Sequence, residues 1–99
     1  MARRLDAAEV DRQLVSLPSW RGDVTALHRE ARMPDFLAAI RAVDDVALEA
    51  EDMDHHPDID IRWRTVRFTL RTHAQDGVTQ LDVELAHRID EIVRRHDGE

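Results

Sequence analysis

The sequence predicts an α+β fold. It is a single domain over residues 1–99 in the order α-β-β-α-β-β-α, a four-stranded antiparallel sheet with three helices packed on one face. Three observations lead there. Apolar residues recur at helical spacing near the start, in the middle and at the end of the chain. Between them, two runs alternate apolar and polar residues, the period of a half-buried strand. No repeat, linker or low-complexity stretch separates these pieces, and 99 residues suit one small domain.

The first helix is expected over Asp6–Leu17, capped by Asp6, with Leu5, Ala8, Leu14 and Val15 approximating one face. Pro18-Ser19 stops it, Trp20 opens a new segment, and Arg21-Gly22-Asp23 reads as a turn. Thr25–Met33 alternates imperfectly through Leu27, Arg29, Ala31 and Met33, a weak strand pattern. Pro34-Asp35 starts the middle helix, since proline suits a first turn. Its apolar face is expected at Phe36, Ile40, Val43, Ala47 and Ala50. It should end near Met53, because His56 precedes Pro57 and is pushed toward extended geometry. Ile59, Ile61 and Trp63 form one strand pattern; Val66, Phe68 and Leu70 form the next. Their parity changes near Arg64, which calls for a tight turn or bulge. Asp76-Gly77 supplies a further turn, and Thr79 caps a last helix with Leu81, Leu85, Ile89, Ile92 and Val93 as its stripe.

Composition narrows the function. The net charge is −7, and the fourteen basic residues, all arginine, are scattered along the chain. That speaks against a nucleic-acid partner, which needs a concentrated basic face. The longest apolar run, Phe36–Ile40, is far too short to span a bilayer, so no membrane partner is expected. Asp6, Glu9 and Asp11 stand where a signal peptide would be apolar, and cytoplasm is the expected compartment. Without cysteine there is no disulfide or thiolate site. A chain this small buries only about 60–70 % of its unfolded surface, so self-association is expected to help it.

The chemistry concentrates in histidine. His55-His56-Pro57 follows the acidic segment Glu51-Asp52-Met53-Asp54, and His73 lies in Leu70-Arg71-Thr72-His73. Imidazole exchanges protons near neutral pH. If the second strand pattern continues to His73, that residue shares the parity of Arg67, Thr69 and Arg71 and points off the core face. His55 and His56 stand past a helix C-terminus, where the macrodipole and Asp52, Asp54 and Asp58 favour a charged ring. The plain reading is a capping histidine with a solvated neighbour. A zinc site would need three converging ligands and an open position, and neither the adjacent pair nor the absence of cysteine supports one. Ser16 and Ser19 lack a nucleophile-elbow context, which argues against a hydrolytic triad. Proton transfer asks for two groups on separate loops, one held neutral and one held charged, and two histidine segments supply them.

The pattern Glu51, three residues, His55-His56-Pro57, five residues, Trp63, nine residues, His73 and then Asp82 resembles that of the pterin-4a-carbinolamine dehydratases. Its flanks agree: Leu14-x-x-Leu17-x-x-Trp20, Phe36 with Ala39, and Gly77-Val78-Thr79-x-x-Asp82-x-Glu84-Leu85-Ala86-x-x-Ile89. The likeness covers about Leu5 to Val93. It implies dehydration of a 4a-hydroxytetrahydropterin to a quinonoid dihydropterin, recycling the cofactor of aromatic amino acid hydroxylases, with no metal or cofactor of its own. By position, it implies His55 and His73 as the acid–base pair. His56, Asp54, Arg71, Thr72 and Ala74 would bind the pterin, partly through backbone groups. Glu51, Pro57, Trp63 and Asp82 would support them. A homo-oligomer, dimer or tetramer, is implied, with a functional link to an aromatic hydroxylase. The chain departs from the family in Leu27–Pro34, which lacks the usual aromatics; this touches packing at an interface, not the chemistry. His28 and His87 are read as surface residues and His96 as part of a frayed tail. Relatives on this fold also serve as transcriptional cofactors or assembly factors, so a non-catalytic binding role is the alternative.

Overall fold

The computed structural model describes residues 2–99. Helix α1 (Ala7–Val15) leads into β1 (Arg21–Gly22) and β2 (Leu27–Arg32), then α2 (Phe36–Met53), β3 (Asp58–Arg62), β4 (Thr65–Leu70), a 3₁₀ turn at His73–Gln75, and α3 (Gln80–Arg95). The strands form one antiparallel sheet in the order β1-β2-β4-β3. This is the predicted fold class and element order.

Register sets the inner face. Leu27 stands opposite Leu70, Arg29 opposite Phe68 and Ala31 opposite Val66, while Ile59 and Ile61 flank Phe68 and Val66 from β3. The apolar side chains among these join Val10, Ala39, Ala42, Val46, Leu85, Ile89, Ile92 and Val93 from the helices in a single core. Glu30 and Arg67 alternate out to solvent and pair with each other at 3.0 Å. Arg29 is the polar residue at a core position. Asp90 on α3 meets its charge and also accepts the indole N–H of Trp20 at 2.7 Å.

Four local expectations are corrected. Arg21-Gly22 is the first strand; the turn follows it, built by Asp23 accepting from Thr25 N at 2.8 Å. That is the local side-chain turn that aspartate favours. On α1, Val10 and then Leu17 are buried, whereas Val15 is 82 % exposed and Ala8 is exposed too. On α2, the face turned inward is Ala39, Ala42, Val46 and Ala50, not the Phe36–Ile40–Val43–Ala47 row. Small side chains suit the close packing of this helix against α3, and Phe36 stays half exposed. Pro34 precedes the cap, Asp35, whose side chain accepts from Ala38 N. Finally, His96 is no frayed residue: it ends α3 and its Nε2 lies 2.7 Å from Asp45 of α2.

Candidate active site

The adjacent histidines are separated by how α2 ends. Asp54 takes the left-handed conformation (φ 48°), its N–H bonds Glu51 O, and His55 N bonds Ala50 O at 3.0 Å. This is the double hydrogen bond of a Schellman ending, with aspartate in the place glycine usually takes. The reversal sends His55 inward, 8 % exposed, and leaves His56 in solvent. His55 Nε2 lies 2.6 Å from Asp82 Oδ1, and His56 Nε2 lies 2.5 Å from Glu51 Oε2. The carboxylate partners are therefore Asp82 and Glu51. Asp52, expected to act on the pair, is held instead by Arg88 at 2.9 Å.

Asp82 is fully buried. It occupies the third position of α3, where a carboxylate closes the capping box with Thr79: Thr79 N donates to Oδ2 at 2.9 Å. Thr72 Oγ1 lies 2.9 Å from the same oxygen and 2.7 Å from Thr79 Oγ1. The helix start thus grips a carboxylate whose other oxygen faces His55.

His73 opens a short loop pinned at its base. Thr72 N donates to Gly77 O at 2.9 Å, Gln75 N to Thr72 O at 3.1 Å, and Asp76 N to His73 O at 3.1 Å. Arg71 reaches across to Asp76 at 2.5 Å. Gly77 is required by close approach, because a Cβ there would stand 2.7 Å from Val24 O and 2.6 Å from Arg4 Nε. Strand β4 stops at Leu70, short of His73, so the parity argument does not reach this residue; the 3₁₀ turn that begins at His73 leaves it exposed. Unlike His55 and His56, its imidazole bonds no other described side chain.

Asp54, His55, His56, Arg71, Thr72, His73, Ala74 and Leu81 line one cleft of about 300 Å³. Three imidazoles, one buried against a carboxylate and two exposed, converge there. Such a set can donate and accept protons on either side of a small planar ligand. A depression of about 350 Å³ on the outer sheet face, around Arg21, His28, Glu30, Arg67 and Thr69, has no comparable cluster of proton-transfer groups. Among the described residues, no group of three or more histidine or acidic side chains is placed to hold a metal ion.

Of the residues singled out in the sequence, Trp63 is not part of this cleft. It sits at the β3–β4 tip with φ 55°, 71 % exposed, and the Arg64 guanidinium lies 5.1 Å over its ring. Pro57 is half-buried and outside the lining, and Glu51 reaches the site through His56. The sequence reading missed the Thr79 hydroxyl and the cleft face of Leu81. The Thr-x-x-Asp spacing of a capping box was the available pointer to Thr79.

A family model described as pterin 4 alpha carbinolamine dehydratase matches residues 3–92. A Mycolicibacterium smegmatis protein provisionally named pterin-4-alpha-carbinolamine dehydratase is 52 % identical over 85 residues, covering 86 % of this chain and 90 % of that one. A Mycobacterium tuberculosis protein with the same provisional name is 50 % identical over 82 residues, covering 83 % and 87 %. A Brucella melitensis crystal structure described as a transcriptional coactivator/pterin dehydratase superposes with TM-score 0.88 at 34 % identity, over 91 % of this chain and 98 % of that one. A pterin dehydratase-like protein, described as a RuBisCO assembly factor in the alpha-carboxysome, shares the fold at TM-score 0.61 and 22 % identity, over 74 % and 84 %.

Proposed function

Because the chain belongs to the pterin-4a-carbinolamine dehydratase family and is thereby a hydro-lyase, we propose that it dehydrates a 4a-hydroxytetrahydropterin by histidine acid–base catalysis in the His55–His73 cleft. In this reaction the bond from C4a to the hydroxyl oxygen breaks. The hydroxyl takes a proton and leaves as water, and a ring N–H gives up its proton as the quinonoid double bond forms. One proton in and one proton out call for an acid and a base on the same small ligand. No oxidant, reductant or metal enters the balance.

The observation that carries this reading is the pairing of unlike imidazoles in one cleft. His55 is buried and held by a carboxylate, while His73 is exposed and unbonded on a separate, pinned loop. His56, steadied by Glu51, is suited to orient the pterin, and Arg71 and Ala74 extend the binding wall. The quinonoid dihydropterin product, after a separate two-electron reduction to the tetrahydropterin, would serve an aromatic amino acid hydroxylase again, and that is the proposed recycling role. No helix is long and apolar enough to cross a membrane, which is compatible with the cytoplasm as the proposed location. An open edge strand, β3, and the exposed Phe36, Leu37, Leu48 and Trp63 support a homo-oligomer, dimer or tetramer.

The test is a dehydration assay with a 4a-hydroxytetrahydropterin on wild type, His55→Ala and His73→Ala. Each variant is expected to lose about 10²–10⁴-fold in kcat, the usual share of one acid–base group. An inactive wild type, or equal rates in all three, would leave a non-catalytic binding role as the better account.

A further inference from the structure

We infer that Thr72 and Thr79 are positioning residues that act through Asp82 to hold His55 in the tautomer protonated on Nε2, leaving Nδ1 as the atom that exchanges protons in the cleft. This rests on the dehydratase reading only for what the cleft does, not for where the proton sits.

Donor counting carries the inference. Thr79 N–H donates to Asp82 Oδ2 and can do nothing else there. Thr72 has one hydroxyl proton and two oxygens near it, Asp82 Oδ2 at 2.9 Å and Thr79 Oγ1 at 2.7 Å. A carboxylate only accepts, so that proton goes to Oδ2; otherwise two lone pairs would face each other. The Thr79 hydroxyl must then donate to Thr72, and its own lone pair takes Leu81 N–H at 3.2 Å. Each proton in the chain has one place. With Oδ2 already taking two donors at the start of a helix, the carboxylate accepts on its other oxygen as well. The ring nitrogen 2.6 Å from Oδ1 must therefore carry hydrogen. Asp82, Thr72 and Thr79 are all more than nine-tenths buried, so water does not scramble the pattern.

The remaining nitrogen of His55 has no hydrogen bond to a described residue. The sealed polar atoms without partners are three arginine Nε atoms, so Nδ1 is not sealed and meets the cleft that His55 lines. Whichever way His55 moves a proton, it moves it at Nδ1. The threonines touch no reacting atom; their effect reaches the chemistry through Asp82.

The experiment is ¹⁵N NMR of imidazole-labelled full-length protein, with kcat and KM against pH, for wild type, Thr72→Val, Thr72→Ser, Thr79→Val and Thr79→Ser. The wild-type spectrum is expected to show a protonated Nε2 and a bare Nδ1 on neutral His55. Thr72→Val should give a tautomer mixture and about a tenfold fall in kcat with little change in KM, the size of one lost hydrogen bond. Thr79→Val should move both in the same direction by less, and each serine variant should restore them. A wild type bearing its proton on Nδ1 overturns the inference, whatever the variants do. So do valine variants with unaltered tautomer and rate. A wild type that carries the Nε2 proton but has no dehydratase activity supports the positioning network and removes the functional reading alone.

Discussion

Replacing Asp82 by asparagine tests how much of the site and of the fold one buried carboxylate carries. The side chain is fully buried and takes three donors: His55 Nε2, Thr72 Oγ1 and Thr79 N. The amide keeps one oxygen, which can face Thr72 and Thr79. Its NH₂ must then face His55, where a donor already stands. Hydrogen bonds to a charged group are worth about 1.5–3 kcal/mol and neutral ones about 1 kcal/mol, so weakening the two retained bonds removes about 2 kcal/mol. For a domain of this size each kcal/mol moves the midpoint by about 4–8 °C, so Asp82→Asn should melt about 8–16 °C below wild type. The His55 ring is forced to bare Nε2 and protonate Nδ1, and kcat should fall by about 10²-fold or more. Differential scanning calorimetry and the dehydration assay read the two effects. A variant melting within about 3 °C of wild type would refute the reasoning, because it would mean the three bonds contribute almost nothing.

Two further outcomes follow from features away from the cleft. The Arg3 guanidinium and the Asp6 N–H hold the Glu9 carboxyl at about 2, against an ordinary 4.5. Because the folded value is depressed, this contribution to stability is fully present above about pH 4.5 and fades as pH falls toward about 2, so the acid-unfolding curves of wild type and Glu9→Gln should separate above that window and merge below it. On α2, Ala42→Leu should cost about 1–3 kcal/mol by overpacking, whereas Ala47→Leu on the solvent side should stay within about 0.5 kcal/mol, both read as urea midpoints at constant slope.

The hairpin of β3 and β4 was legible because its period-2 alternation is a local property, and the two-residue tip falls where the apolar parity changes. The same counting does not reach His73, because β4 ends at Leu70 and a 3₁₀ turn, not strand parity, sets its exposure. Three things were not legible. The two-residue β1 has no pattern of its own and exists only by pairing with β2. The α2 face was misjudged because alanines and larger apolar residues occupy neighbouring stripes; size drew attention to Phe36 and Ile40, while the face that packs inward carries Ala39 and Ala42. The third is the partner of His55, which the residues alone did not give, although the family resemblance implied Asp82 as a supporting residue. Three aspartates stand near it in sequence, but the carboxylate that touches it comes from a helix start 27 residues later. Proximity in space outranks proximity along the chain, and only the tertiary fold supplies it.

Asp82 answers to two demands at once, closing the start of α3 and holding His55. A lineage of this fold that gave up the chemistry would still lose helix stability by changing that position, so drift there is resisted with or without catalysis. His73 answers to one demand. It is exposed, bonded to no other described side chain, and free to vary in a chain without the proton transfer proposed for it. When chains of this shape are sorted into working enzymes and retired ones, the residue at the Asp82 position is a nearly silent marker, and the residue at the His73 position is the one that speaks.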